Sequence, residues 1–255
     1  MSKRLASGGA ARHIAGVRVA HPETWTDEAD PRVHYRLSGK ARRVSLRVRL
    51  ADRRVEVVVP GPRAVREAEA FVRKQRSWID VQLEGLPAAQ PFRPGAEITV
   101  RGVPYRLAQP SGRGRPSIDH EKRRVLVPAP AGEFANRTRR LLVREAREAL
   151  EAATHHYADM LDRRVAKVSV RDTASRWGSS VTRESGTHIS YSWRLVCAPP
   201  FVLDYVAAHE VAHILQPNHS PAFWAVVDGI FDRTKEAKRW LKRNGAGLHA
   251  VGAEA

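Results

Sequence analysis

The stretch Pro199-Pro200-Phe201-Val202-Leu203-Asp204-Tyr205-Val206-Ala207-Ala208-His209-Glu210-Val211-Ala212-His213-Ile214-Leu215 carries the densest information in the chain. Proline suits the first turn of a helix, where its missing amide hydrogen would be unpaired anyway, and no breaker follows from Phe201 to Leu215. A helix puts residues i and i+4 one above the other, so His209 and His213 can reach one cation at about 2.0–2.1 Å. Glu210 stands beside the first of them and can touch a metal-bound water without entering the coordination sphere. Pro217 stops the helix near Gln216, and Asn218 tolerates a left-handed turn. His219 then arrives with the chain reversed. Three imidazoles at 209, 213 and 219 fill three corners of a tetrahedron and leave the fourth to water, which is the open coordination of a catalytic site. A purely structural zinc site would need a fourth protein ligand, and with Cys197 the sole cysteine only a distant Asp could supply one.

Upstream of this helix, Thr187 to Val196 alternates so that Ile189, Tyr191, Trp193 and Leu195 share one face, which reads as a strand. Val165 to Val170 reads as another, and the polar run Arg176-Trp177-Gly178-Ser179-Ser180 lies between them. Phe134 to Leu161 has helical spacing through Leu141, Leu142, Leu150 and Met160. Its adjacent His155 and His156 point about 100° apart, cannot ligate one metal together and read as surface or partly packed residues. Earlier still, Val44 to Leu50 and Val55, Val57 and Val59 alternate with period two, a hairpin with one buried face. One helix follows from Ala64 to Leu83. Short strands flank Arg101-Gly102, Arg124 to Val127 reads as another, and Ser111 to Pro116 is a loop by composition. Beyond Trp224, Thr234 to Arg243 reads as a basic helix ending before Gly245.

With 42% hydrophobic and 28% charged residues over 255 positions, the composition excludes wholesale disorder and fibrous architectures. The longest uncharged apolar stretch, Leu195 to Leu203, is broken by two prolines and falls short of the roughly 20 residues of a spanning helix. A cytoplasmic location is the default expectation. The formal net charge is +17, with 36 Arg and 8 Lys. Residues 31–80 carry 14 cations against five acids, whereas residues 166–255 carry 11 against eight, so most of the excess lies away from the histidine motif. A solvated basic face is the simpler reading, with a nucleotide or nucleic-acid partner left open.

The spacing of the three histidines equals the metzincin pattern H-E-x-x-H-x-x-G-x-x-H, but Gln216 stands at its Gly. A fuller resemblance runs through Arg176-Trp177-Gly178-Ser179-Ser180, Ile189-Ser190-Tyr191-Ser192-Trp193-Arg194-Leu195, His209 to His213, Asn218-His219-Ser220-Pro221 and Phe223-Trp224. These residues resemble the YgjP-like metallopeptidase family, which is related to the SprT-like and WLM zincins. Ser180 stands where many relatives carry Cys. The resemblance implies a Zn2+-dependent hydrolase with metal ligands His209, His213 and His219 and catalytic Glu210. The expected fold is α+β, a strand-rich amino-terminal module followed by a zincin-like helical module with a small sheet. The expected divisions are a disordered tail over 1–30, a strand-rich basic module with one helix over 31–130, the zincin-like metallopeptidase module over 131–245 and a frayed tail over 246–255.

The expected function is that of a zinc metallopeptidase acting on a peptide or protein through a metal-activated water, with Glu210 as general base. Two alternatives use the same site: a nucleoside triphosphate pyrophosphatase and a DNA-associated SprT-like protease. Among supporting residues, the strand Ile189 to Leu195 is a candidate to pair with an extended peptide, as in zincins generally, and Arg176 is a candidate to stabilise an oxyanion, bind a carboxylate or form a structural ion pair. Asp204 and Asp228 are candidates to orient a ligand imidazole, though a solvated or capping role is the simpler one, and Trp193 and Trp224 read as core aromatics.

Overall fold

In the computed structural model, which describes residues 23–50, 52–173 and 176–254, the amino-terminal strands are β1 (Thr24–Thr26), β2 (Val33–Leu37), β3 (Ser45–Arg49) and β4 (Arg54–Val59). They form one sheet in the order β1-β2-β4-β3. The expected hairpin of β3 and β4 is therefore present, and β2 adds to β4 in parallel. Val55, Val57 and Val59 are buried, as period-two alternation requires of a strand with one face on a core. Residues 1–22 of the expected tail lie outside the described residues; Thr24–Thr26 of that tail is strand, paired antiparallel with β2.

The single helix expected over Ala64 to Leu83 is two, α1 (Val65–Lys74) and α2 (Arg76–Glu84), parted at Gln75. The Gln75 amide donates to both Phe71 and Val72 carbonyls at 3.0 Å, which tightens the last turn of α1. No Gly or Pro marks the break. It serves packing, since α1 buries Val65, Ala68 and Val72 and α2 buries Ile79 and Leu83. Asp30 closes this unit from the loop before β2. Its carboxylate, 2% exposed, accepts from Arg32 Nε and Nη2 at 2.9 Å each, and Arg76 Nη1 lies at 3.1 Å.

By compactness the described residues divide into one unit of those up to 48 with 54–83 and another of those from 49 to 53 with those from 84 onward. The boundary therefore falls well before the expected division near residue 130. The reason is a shared core. A second sheet of β5 (Glu97–Val100), β6 (Val103–Ala108), β7 (Ser117–Asp119) and β8 (Arg124–Leu126), ordered β5-β6-β8-β7, sends Ile98, Val100, Leu107 and Val125 into the cluster that holds Leu142 and Leu150 of the long helix α3 (Phe134–Met160). Arg101 and Gly102, at φ 52° and 78°, make the two-residue turn whose positive φ values match hairpin twist.

A third sheet holds β9 (Lys167–Arg171), β10 (Gly178–Arg183) and β11 (Gly186–Ser192), with β11 in the middle, parallel to β9 and antiparallel to β10. The strand expected to reach Val196 ends at Ser192, and Trp193–Cys197 turns as a 3-10 helix buried at every residue. It leads into α4 (Pro200–Ala212), followed by α5 (Pro221–Ile230) and α6 (Thr234–Ala250). Nine of the 13 residues of α4 are buried and only Pro200 is exposed, so it is a central helix, which accounts for its run of apolar residues without amphipathic spacing.

The expected frayed end at 246–255 is a correction. Helix α6 runs through Gly245 to Ala250, and Leu248, His249, Val251 and Ala253 are all buried. Arg139 donates to the Gly252 carbonyl at 2.9 Å, and buried Arg194 donates to the Val251 carbonyl at 3.2 Å while pairing with Asp172. Residue 255 lies outside the described residues. No helix among the described residues is long and apolar enough to cross a membrane.

The Arg32 side-chain hydrogen bonds hold the Asp30 carboxyl below its ordinary value of 3.8, against the opposing effect of burial. A depressed carboxyl contributes stability that is present above its unfolded pKa and is lost as pH falls through the folded one. Asp30→Asn is therefore expected to cost about 1–3 kcal/mol at pH 7. The difference from the parent protein should shrink below about pH 4. Calorimetric melting of both proteins at pH 7 and pH 3 measures this; an equal difference at both values would contradict it.

Candidate metal centre

The last turn of α4 aims His209 and His213 the same way, and the loop after it brings His219 back to them. The three ring centroids lie 4.9–5.0 Å apart, close to an equilateral triangle. One ring nitrogen from each histidine lies within 4.8 Å of the other two, and Nε2 of His219 is 3.1 Å from Nε2 of His209. Two nitrogens bound at 2.0–2.1 Å to one tetrahedral ion stand about 3.4 Å apart. The donor set therefore fits a cation that accepts imidazole. Lone pairs are free to bind it. Burial, followed by the neighbouring His213, His219 and Lys238, pushes His209 down to about 3, and burial also lowers His213, so both rings are neutral at pH 7.

Local chemistry fixes these rings. Helix α4 ends at Ala212, earlier than the expected end near Gln216, and His213 is its C-cap. The Nδ1 of His213 lies 3.0 Å from the Gln216 carbonyl, which can only accept, so the proton sits on Nδ1 and Nε2 keeps its lone pair. The turn that returns the chain uses no left-handed residue at Asn218. Instead Asn218 Oδ1 accepts from the Ser220 amide, and Ser220 Oγ caps α5 by accepting from the Phe223 amide, each at 3.3 Å. This cap places the fully buried Phe223 ring 4.5–4.9 Å from all three imidazoles, forming the floor of the triangle. Tyr205, one turn before His209, puts its hydroxyl 3.5 Å from His209 Nδ1.

Glu210 leaves α4 on a different bearing, toward β10. It is 6% exposed, and burial raises its carboxyl to about 7 despite the opposing charge of Arg176. Gly178, the first residue of β10, explains how a carboxylate fits there. A Cβ at position 178 would lie 2.5 Å from Glu210 Oε1 and 2.6 Å from its Cγ, so only a hydrogen can occupy the place. Trp177, next to it, stacks on His249 at 4.4 Å and touches Gly245, so α6 anchors the segment that carries Arg176 and Gly178.

Several expected supporting roles fall elsewhere. Trp193 is core, with no exposure. Trp224 is not: it is half-buried, stacks on His219 at 5.8 Å and 24°, and carries Lys238 Nζ 3.8 Å from its ring centre. Neither Asp204 nor Asp228 reaches a ligand ring; Asp204 is raised by burial against the opposing effect of His156, and Asp228 is exposed. Arg176 is exposed and acts on Glu210 through its charge. Strand β11, expected to pair with substrate, is the central strand of its sheet, and the free edge beside α4 belongs to β10. His155 and His156 are exposed, as expected. Cys197 is buried and its thiol pushed up to about 12, which makes it inert.

The contributions of Phe223, Tyr205 and Gly178 to this geometry had no independent signal in the sequence, because each depends on a contact between elements far apart along the chain. A family model described as YgjP-like, metallopeptidase domain, matches residues 42–244. No curated protein and no solved structure matches the chain.

His219→Ala removes one corner of the triangle and should drop retained zinc after dialysis from about one ion per chain to a small fraction of that. Metal analysis checks it, and undiminished retention would contradict the three-histidine site. In metal-free protein the Glu210 carboxyl should titrate near pH 7 by carbon NMR. Because Arg176 favours the charged form, Arg176→Gln should move that titration upward, and a downward movement would contradict the assignment.

Proposed function

Given that the chain belongs to the YgjP-like metallopeptidase family, we propose that it is a zinc-dependent peptidase in which His209, His213 and His219 hold the ion and Glu210 is the general base. The observation that carries this reading is the convergence of three imidazoles, those of His209 and His213 held neutral by burial, beside a buried carboxylate whose pKa is about 7. When bound, the ion supplies Lewis acidity, lowering the pKa of water toward about 7 and polarising the scissile carbonyl.

The protein's own groups do the rest. An acid or base works best when its pKa lies near the operating pH, and the burial of Glu210 brings it there. A carboxylate oxygen of Glu210 takes the proton from the attacking water and returns it to the nitrogen of the leaving amine. The backbone at Gly178 and the helix around Glu210 confine that carboxylate, so it keeps one bearing through both transfers. Phe223 excludes water from beneath the histidines. The exposed Arg176 guanidinium, whose charge reaches Glu210, suits an oxyanion developing on the substrate carbonyl.

An extended peptide is the substrate form the surroundings favour. Helix α4 packs against β10, the edge strand of its sheet, whose outer amides and carbonyls have no strand partner among the described residues. A peptide added there pairs through its backbone, and its course brings a carbonyl past Gly178 toward Glu210. Backbone pairing of this kind recognises conformation before sequence.

Zinc-loaded protein is expected to cleave members of a random peptide library, read by mass spectrometry. Glu210→Gln should lower the cleavage rate by about 10²–10⁴-fold while zinc per chain stays unchanged. Equal cleavage by this variant would remove Glu210 from the chemistry. Cleavage of nucleoside triphosphates alone, with every peptide intact, would replace the peptidase reading.

A further inference from the structure

A cleft of about 370 Å³ lies in the first unit between α1 and the segment leading into β3, lined by Arg43, Val44, Glu67, Ala70, Phe71 and Lys74. The strand that begins one residue after Val44 is open on one side. In the order β1-β2-β4-β3, β3 is an edge, and among the described residues no strand pairs with its outer side. None of its five residues is fully buried, whereas four of the six in β4 are. An uncovered edge presents a row of amides and carbonyls ready to pair with another extended segment.

The other side is a helix stripe that the core does not use. Val65, Ala68 and Val72 are the buried residues of α1, while 67, 70, 71 and 74, spaced as one face of a helix, line the cleft. Phe71 is only half-buried and Ala70 is exposed. Val44, Ala70 and Phe71 thus form an apolar floor beside the strand edge. Two cations, Arg43 and Lys74, line the cleft and are exposed, and Arg42 and Arg73, their chain neighbours, are exposed too. The basic excess of the chain, 14 cations against five acids over residues 31–80, is therefore concentrated on the unit that holds this cleft.

We infer that the cleft between α1 and the segment leading into β3, together with the open edge of that strand, is a docking site for an extended acidic peptide segment. The segment adds to the edge of β3, seats an apolar side chain on Val44, Ala70 and Phe71, and presents carboxylates to Arg43 and Lys74. Alternate residues of an added strand point to opposite faces, so one side chain in two enters the cleft. Charge selects this occupant over the chain's own residues 1–22, which carry four cations and no acid. It is also favoured over nucleic acid, because a strand edge matches a peptide backbone.

The test uses the full chain carrying Glu210→Gln, so that a bound peptide stays intact. The probe is an end-blocked, fluorescein-labelled nonapeptide in which Glu alternates with Val, followed by anisotropy. Saturable binding is expected, weakening as salt is raised. Arg43→Glu combined with Lys74→Glu, and separately Ala70→Trp to fill the cleft, should each raise Kd by about tenfold or more, equivalent to about 1.4 kcal/mol. All three positions are exposed, so folding should survive, with circular dichroism as the check. N-methylation of alternate peptide residues should abolish binding. The proposal is overturned if these variants bind as the parent does, if a Lys/Val peptide binds equally, if N-methylation has no effect, or if a short oligothymidylate displaces the probe and binds more tightly.

Discussion

Helix α4 runs through the core, and the chemistry of the site depends on that burial. From Tyr205 to Ala212 every residue but the half-buried His209 is buried, so Glu210 and His209 in its last turns are held where water is scarce. Burial keeps His209 neutral and lifts Glu210 to about 7. In water the same two groups would carry opposite charges at pH 5–6 and attract each other. Here desolvation separates their roles: neutral rings suited to a cation and a carboxylate suited to exchange a proton.

Two close approaches make the burial specific. On one side Glu210 lies against the backbone of Gly178, with no room for a Cβ, so strand β10 and helix α4 are in register at that point. On the other, the Phe223 ring touches all three imidazoles and is itself positioned by the Ser220 cap of α5. Helix α6 secures both ends of this arrangement, holding Trp177 against Gly245 and His249 and placing Lys238 over Trp224. Interiors packed at crystal-like density transmit small displacements, which ties the bearing of Glu210 to a helix that ends within a few residues of the described carboxyl terminus.

The two units differ in how they handle charge. In the first, Asp30 is almost fully buried and satisfied by Arg32 and Arg76, while many other cations of that segment face outward. In the second, buried Arg194 pairs with Asp172 and ties down the last strand-like residues, so its positive charge serves cohesion. One net charge of +17 thus covers a basic surface and a set of internal ties.

The local content of the chain was largely readable from residue order. Helical spacing placed α3 to within a residue, the i and i+4 histidines declared their shared face, and Arg101-Gly102 announced a tight hairpin. These features depend on neighbours within a few positions, and the periodicities of helix and strand encode them directly. Long-range contact was silent. Nothing between Lys74 and Arg76 marks the break of the helix there, β11 looks like an edge until β10 is paired to it, and the carboxyl-terminal residues look frayed until Arg139 and Arg194 grip them. Gly178, Phe223 and Trp224 likewise acquire their places only when distant segments meet. Spacing can say that three histidines are able to converge, whereas the neutrality of His209 and His213, the floor beneath the rings and the bearing of Glu210 come from desolvation and steric exclusion, which exist only once the chain has packed.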